Sequence, residues 1–258
     1  MKAIYLHPAP CITAYVQELL IIESVEVTTP FVLPLFANGM PTLLFQTAKG
    51  QLGNSRNYLS LFGQTVLPDT ITIHEDFTMI AYFFKPYALN SLFGVSAWEL
   101  TDHPIDLNLL PVSITADLQE RLLSAASTRE MIAILDAYIY RLLTKIEVDM
   151  RIMKYAVEKI AAKPTGKNLT TVQDELCMTG RTFQRQFEKT IGVKPSRYRR
   201  ICQFNAAFRQ LNSLQFKNLT ALSYSNGYAD QSHFIRVFKE FTFLTPGEYL
   251  AYSKAREN

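Results

Sequence analysis

The side chains best suited to chemistry in this 258-residue chain lie in a motif that occurs twice. The motif is Phe-x-Arg-x-Phe, then seven residues, then Pro-x-x-Tyr; it begins at Phe183 and again at Phe234, so matched positions are 51 residues apart. Arg and Gln side chains occur in and beside it. Arg can form paired hydrogen bonds with guanine O6 and N7, and Gln with adenine N6 and N7. The motif therefore predicts recognition of base edges.

Helical spacing places the two phenylalanines of each copy on one face and polar side chains on the opposite face. In the first copy the polar face carries Arg181, Gln184 and Arg185. Thr179 and Asp230, also 51 residues apart, stand where the N-cap of each helix is expected. The residues that we expect to contact bases or phosphates are Arg181, Thr182, Gln184, Arg185, Gln231, Ser232, His233, Arg236 and Lys239.

Other roles stay open for several of these side chains. The whole polar face could simply be solvated. Arg185 and Arg236, at matched positions, suit an internal salt bridge or a phosphate contact as well as base recognition. His233 is also consistent with a neutral surface histidine, and Lys239 most simply contacts a phosphate. Two roles are open for Arg197, Arg199 and Arg200: contact with the DNA backbone, or a solvated basic turn.

The elements that would position these residues are also duplicated. A shorter helical segment precedes each longer one, at residues 170–178 and 219–228, and Gly227 suits the tight turn between helices. Short helix, turn and longer helix make a helix-turn-helix unit. The second helix of such a unit, the recognition helix, can enter the DNA major groove.

The segment between the two copies, residues 195–212, predicts one continuous connector helix. A helix of about 15 residues spans over 20 Å. Such a rod could hold two recognition helices in successive major grooves, roughly 34 Å apart on B-DNA.

Many aromatic residues accompany the basic side chains in this region. Stacking on single-stranded bases is conceivable for them, but their helical spacing indicates a protein core instead. They are Phe183, Phe187, Phe204, Phe208, Phe234, Phe238 and Phe241.

The first 110 residues predict β-strands. The patterns "PTLLFQT" at 41–47, "TITI" at 70–73 and "MIAYFF" at 79–84 are typical of strands, and "KGQLGN" at 49–54 predicts a turn. From Ile114 to Leu143 apolar residues recur at three- and four-residue steps, with a break near "SAAST", which predicts helices.

These patterns predict an α+β fold with two domains. Residues 1–145 would form a β-rich, barrel-like domain with closing helices, and residues 150–258 an all-α domain of two helix-turn-helix units joined by the connector. The boundary is predicted between Leu143 and Met150. The amphipathic segment 114–143 could form a dimer interface or pack on its own sheet.

Charge divides along the same line. Residues 1–148 carry 8 Lys and Arg against 14 Asp and Glu, a balance of −6, whereas residues 149–258 carry 18 against 9, a balance of +9. A basic half suits a polyanionic partner, although uneven surface charge alone would also give this pattern. The three cysteines are widely spaced, which favours a reducing cytoplasm. We expect no signal peptide or membrane span, because the apolar runs are too short.

Residues from about 150 to 252 resemble the DNA-binding domain of the AraC/XylS family of bacterial transcription regulators. The segment "GYADQSHFIRVFKEFTFLTPGEY" at 227–249 carries most of the resemblance. More weakly, "GQTV" at 63–66 and "FKPYALNSLFG" at 84–94 resemble sensor domains of such regulators. The resemblance implies a cytoplasmic transcription regulator, commonly an activator, with double-stranded DNA, RNA polymerase, a small effector and a second copy of the chain as candidate partners.

The chain departs from the family pattern in the turns. Cys177 stands in place of the usual turn glycine of the first unit, and Phe243 replaces the glycine that ends the second recognition helix; Gly192 keeps it in the first. Because a left-handed conformation is costly for Phe, we expect the turn at Phe243 to be built differently.

A DNA-targeted enzyme, with chemistry in the N-terminal domain, is the alternative hypothesis. It would need a nucleophilic cysteine in a basic setting or a metal cluster. Cys11 has no basic neighbour in sequence, and His74 in "HED" is only a weak indication of a metal site. We therefore predict no enzymatic activity, metal or cofactor. An apolar ligand pocket and ordinary core packing are both open for Phe45, Tyr82, Phe83 and Phe84.

Overall fold

The strands of the chain all lie in its N-terminal part. A computed structural model describes residues 2–53, 55–111, 115, 117–145, 149–164 and 166–257. Most of the strands precede the helices along this chain, and the predicted α+β fold class is confirmed. The strands are β1 Lys2–Leu6, β2 Val16–Ser24, β3 Phe31–Leu35, β4 Thr42–Leu52, β5 Ser55–Phe62, β6 Asp69–Ile73, β7 Phe77–Phe84 and β8 Ile105–Asp106.

The strands form one antiparallel sheet that curls back on itself. Its main order is β1-β2-β7-β4-β5-β8, and β6 joins β4 to β3. The register of β4 shifts between Phe45 and Gly50, after which the end of the strand pairs with β6 as well as β5. The prediction of a turn at 49–54 was wrong for residues 49–52, because they continue β4. Their pairing with residues 71 and 72 of β6 cannot be inferred from the local sequence.

Helices close one face of this sheet. Leu135, Ile139 and Leu142 are buried against apolar side chains from the sheet, and the Tyr82 hydroxyl of β7 donates a hydrogen bond to Asp136 at 2.8 Å. Within the predicted segment 114–143, residues 118–123 and 128–143 are helical with a break at 124–127, and they pack on the sheet of the same chain; Ile114 and Ala116 lie outside the described residues. The helices are α1 Ala88–Phe93, α2 Leu118–Leu123 and α3 Thr128–Leu143, with short 3-10 turns at Pro10–Ile12 and Leu107–Leu109.

All elements of regular secondary structure in the described C-terminal residues are helices, and α6 and α9 repeat the 51-residue offset. Residues 146–148, where the domain boundary was predicted, lie outside the described residues, so the boundary stays a prediction. None of the described helices is long and apolar enough to span a membrane. The helices are α4 Arg151–Ala162, α5 Gly166–Glu175, α6 Gly180–Ile191, α7 Pro195–Asn212, α8 Leu219–Ser225, α9 Gln231–Thr242 and α10 Pro246–Glu257.

The two parts of the chain share one hydrophobic cluster. Ala37, Val66 and Tyr87 from the N-terminal part pack with the helical core. The Thr101 hydroxyl donates a hydrogen bond to the carbonyl of Gly192 at 3.0 Å. The N-terminal part is thus docked on the end of α6. The motif phenylalanines form the helical core, as predicted: Phe183, Phe187, Phe204, Phe234, Phe238 and Phe241 are fully buried, and Phe208 packs against the cluster.

Candidate nucleic-acid interface

Helix α6 presents the first predicted contact surface. Its N-cap is Thr179, whose hydroxyl accepts the backbone N–H of Thr182, as the sequence predicted. Arg181, Gln184 and Arg185 are exposed along one face, opposite the buried phenylalanines. Free backbone N–H groups at a helix start favour anions. This face can therefore bind phosphate at its beginning and hydrogen-bond to bases along its length.

Helix α9 presents the matching surface of the second unit. Asp230 caps it by accepting the backbone N–H of His233 at 2.6 Å. Ser232, Arg236 and Lys239 are exposed on the face opposite the buried core. The two recognition helices thus have the same length, the same type of cap and the same exposed face.

Four of the predicted contact residues also have contacts within the protein. The side-chain amide of Gln184 donates a hydrogen bond to the Glu188 carboxylate at 3.4 Å within α6. Gln231 accepts a hydrogen bond from the hydroxyl of Thr220 at 2.7 Å, which ties α9 to α8. The His233 ring lies edge-on to the Tyr228 ring, 5.4 Å between centroids. Thr182 is half-buried and its hydroxyl accepts from Thr179. These residues help to orient the helices that carry the exposed side chains.

The duplicated arginines of the motif face solvent. Neither Arg185 nor Arg236 makes an ion pair or hydrogen bond within the described part of the chain, and both are exposed. An internal salt bridge, one of the roles left open for them, does not occur among these residues. Base contact and phosphate contact stay open.

The nearby arginines of α7 are engaged within the protein and not simply solvated, and contact with the DNA backbone stays open for them. Arg197 and Arg200 both bind the carboxylate of Glu240, and Arg199 is half-buried and donates to the carbonyl of Pro164 at 3.2 Å. Burial, and next the charge of Arg200, lower the pKa of Arg199. Their separation from Glu240 and Pro164 along the chain left no local signal for these contacts.

The turns of the two units share one geometry despite their different residues. The backbone N–H groups of Gly192 (φ 95°) and Phe243 (φ 62°) each bond the carbonyl four residues earlier at 2.9 Å, both in the left-handed region. The expectation of a different turn at Phe243 was wrong. Its side chain is 65 % exposed, so the ring meets no steric obstacle, and only the backbone strain remains. Likewise Cys177 (φ 51°) repeats the turn made by Gly227 (φ 74°).

A cavity of about 340 Å³ lies where the N-terminal sheet meets the connector helix, α7. Its walls are mainly apolar and include Leu33, Leu44 and Phe83 from the strands. Helix α7 closes it with Asn205, Phe208 and Arg209. Of the four aromatics considered for a ligand pocket, Phe83 lines this cavity, and the others are buried in the sheet core. The contribution of α7 could not be predicted, because it depends on how the two parts of the chain pack.

Other possible sites of chemistry are sparse in the described part of the chain. No group of three or more His, Cys, Asp or Glu residues there could hold a metal ion. Cys11, the only cysteine considered for the enzyme hypothesis, is exposed and reduced.

Comparisons with known proteins agree with this arrangement. A family described as a helix-turn-helix domain matches residues 172–252, and a domain of unknown function (DUF6597) matches residues 5–106. No curated protein sequence matches the chain. A crystal structure of ToxT from Vibrio cholerae O395 superposes with a TM-score of 0.50 at 12 % identity, over 90 % of this chain and 96 % of ToxT. A second crystal form of ToxT from Vibrio cholerae, at 1.65 Å resolution, superposes with a TM-score of 0.50 at 13 % identity, over 92 % of this chain and 98 % of ToxT.

At such low identity the likeness to ToxT shows a shared fold, and it extends over nearly the whole chain. The helix-turn-helix match is more specific, because it covers both copies of the duplicated motif. The matched range contains both capped helices, α6 and α9, and the turns that precede them. The chain therefore contains a helix-turn-helix domain at residues 172–252 and shares its fold with ToxT along most of its length.

Proposed function

We propose that this chain is a transcription regulator of the AraC/XylS family that binds double-stranded DNA sequence-specifically. It would place α6 and α9 in two successive major-groove segments. The observation that carries the proposal is the pair of capped 12-residue helices with matching exposed faces, joined through one 18-residue helix. At 1.5 Å per residue the connector is roughly 27 Å long. That length suits recognition helices placed one turn of B-DNA apart.

The side chains divide into two roles in this proposal. Arg181 and Gln184 would contact base edges, since they are exposed and can bond two base atoms at once. Lys239 would contact a phosphate, as a flexible point charge near the end of α9. Arg185 and Arg236 would contact either a base edge or a phosphate. The +9 balance of residues 149–258 supports attraction to DNA at moderate salt.

Regulation would come through the cavity between the barrel and α7. We propose that a small, mainly apolar effector binds there, because the cavity wall is largely apolar and includes part of the connector helix. An occupant would touch both the barrel and the element that joins the recognition helices. The protein would then act in the cytoplasm on RNA polymerase at a promoter, alone or as a dimer.

Selection of bound sequences from a random DNA pool, at two salt concentrations, tests the DNA-binding proposal. We expect enrichment of two short motifs about ten base pairs apart. We also expect overall affinity to fall steeply as salt rises while the motifs persist, because salt acts on phosphate contacts. Enrichment of a single motif, or of none, would contradict recognition by two helices.

The fluorescent probe 1-anilinonaphthalene-8-sulfonate tests the effector cavity. We expect saturable binding to the full chain, and loss of that binding in Met40→Trp, which places a large ring in the cavity wall. Val32→Trp is the matched control, because Val32 lies on β3 next to Leu33 but is not itself part of the cavity wall. Equal binding by both variants would show that the probe binds elsewhere.

A further inference from the structure

One carboxylate holds two arginines at the junction between the helix-turn-helix units. The side chain of Glu240, near the end of α9, accepts hydrogen bonds from both guanidinium groups at the start of α7. Arg200 donates through Nη2 to Oε2 at 2.5 Å and through Nη1 to Oε1 at 3.3 Å, and Arg197 donates through Nη1 to Oε1. All three side chains are about two-thirds buried. Charge-assisted bonds of this kind fix direction as well as distance.

The same arginines also rest on an aromatic ring. The guanidinium carbons of Arg197 and Arg200 lie 5.1 Å and 5.7 Å from the ring centroid of Phe241, which is fully buried. Burial raises the pKa of Glu240, but the hydrogen bonds and charges of Arg200 and Arg197 outweigh burial and hold the pKa below its ordinary value. The carboxylate is therefore charged at neutral pH, and the cluster is held on two sides.

This cluster joins the two recognition helices through a short path. Arg197 follows the end of α6 by six residues, and Glu240 lies two residues before the end of α9. The other contacts between α7 and α9 are largely apolar, such as Phe204 against Phe238 and Phe241. Apolar packing keeps the helices together but is not directional. The charged cluster is a directional contact between α7 and α9 themselves, beside the hydrogen bonds that Gln203 and Gln210 of α7 make with Asn226 at the end of α8.

The cluster is absent from the repeated pattern. The position 51 residues before Glu240 is Lys189, and the positions 51 residues after Arg197 and Arg200 are Glu248 and Ala251. Each unit could thus fold without it. These charges occur only where one unit meets the other.

We propose that Glu240, held by Arg197 and Arg200, is a positioning residue that sets the separation of the two recognition helices and so the half-site spacing that this regulator binds. The proposal rests on the proposed two-groove recognition of DNA. None of the three residues needs to touch a base. Loosening the cluster would leave each recognition helix able to bind its own half-site but would relax their mutual register, which lowers the effective concentration of the second helix at its groove.

The variants Glu240→Gln and Arg200→Gln test this with opposite changes of charge. Fluorescence anisotropy would measure affinity for labelled duplexes that carry both selected half-sites at spacings from 8 to 13 base pairs, and for duplexes with one half-site. In both variants we expect the preference for the best spacing over the others to fall by about tenfold. Affinity for the duplexes with one half-site should change little. It should rise slightly in Glu240→Gln, which removes a negative charge, and fall slightly in Arg200→Gln, which removes a positive charge.

Asp174→Asn is the control for added charge, because Asp174 is exposed on α5 outside the cluster. It should keep the wild-type spacing preference. Circular dichroism would check that each variant is folded, and if Glu240→Gln is not, Arg200→Gln and Arg197→Gln decide the matter. Unchanged spacing preference in folded variants would overturn the positioning role while leaving two-groove binding intact. Failure of the wild type itself to prefer two half-sites would instead overturn the proposed function, and the role of Glu240 with it.

Discussion

Arg181 and Lys239 are both exposed and both basic, yet Arg181 lies at the start of its recognition helix, α6, and Lys239 near the end of the other, α9. Arg181 is the second residue of α6, where side chains reach base edges. Arg181→Ala should therefore relax preference at one base pair by roughly 1–3 kcal/mol. Lys239→Ala, the matched comparison, should weaken all sequences alike and reduce the slope of log affinity against log salt by about 1. Repeating the pool selection and a salt titration measures both, and a uniform loss for Arg181→Ala would contradict base recognition.

Phe243 illustrates a residue whose conformation conflicts with its type. Its φ of 62° is strained for any side chain with a Cβ, and its ring is mostly exposed. Phe243→Gly should raise the free energy of unfolding by about 1 kcal/mol, because relief of left-handed strain exceeds the added entropy of the unfolded chain. Urea denaturation measures the change. Phe243→Ala separates strain from the ring: it keeps the strain, so a gain as large as that of Phe243→Gly would mean that the ring itself is unfavourable.

At the scale of elements, local patterns and distant contacts differ in what the sequence reveals. The length and caps of α6 and α9, and the continuous α7, follow from helical spacing and from Thr179 and Asp230, all of which are local signals. The end of β4 was mistaken for a turn because Gly50 and Gly53 are typical turn residues, whereas residues 50–52 pair with the adjacent β5 and with β6 about 20 residues away. The Glu240 cluster joins residues 40 and 43 positions apart, and the cavity wall runs from Tyr5 to Arg209. No periodicity within one segment encodes such contacts.

The packing of α3 on β7 has a consequence for pH dependence. Burial raises the pKa of Asp136 above 3.8, and the hydrogen bond from Tyr82 opposes this only in part. The folded protein then retains this proton at pH values where the unfolded chain has lost it. Stability from this group is therefore fully present below pH 3.8 and is lost as pH rises through the higher folded pKa.

Asp136→Asn should remove that dependence while keeping an oxygen that accepts the Tyr82 hydroxyl. We expect the urea midpoint of the variant, relative to wild type, to rise between pH 4 and pH 7. Asp117→Asn, at an exposed carboxyl outside this contact, serves as the control. A constant difference between wild type and Asp136→Asn over that range would show that Asp136 has an ordinary pKa.

For the whole molecule, the N-terminal domain bears on the first helix-turn-helix unit at the turn that ends α6. A Cβ at Gly192 would lie 2.6 Å from the carbonyl oxygen of Ala97 and 2.8 Å from the Thr101 hydroxyl, too close for either to stay in place. At Gly227, the turn of the second unit, a Cβ would meet its first neighbour only at 3.7 Å. Both glycines have positive φ, 95° at Gly192 and 74° at Gly227. Alanine is therefore strained at both positions, more so at Gly192, and only at Gly192 does a Cβ also meet the other domain.

This pair of glycines gives a direct measure of domain docking. Gly227→Ala should cost about 1–2 kcal/mol, the strain of a left-handed alanine. Gly192→Ala carries at least that strain and must also displace the segment that contains Ala97, so its cost should be clearly larger. Trp98, the single tryptophan, follows Ala97 and is 58 % exposed, so its emission reports on that segment. We expect Gly192→Ala, but not Gly227→Ala, to shift this emission in the folded protein. Equal losses of folding free energy with unchanged emission would mean that the N-terminal domain does not constrain the first recognition helix. An effector would then have to act through the connector alone.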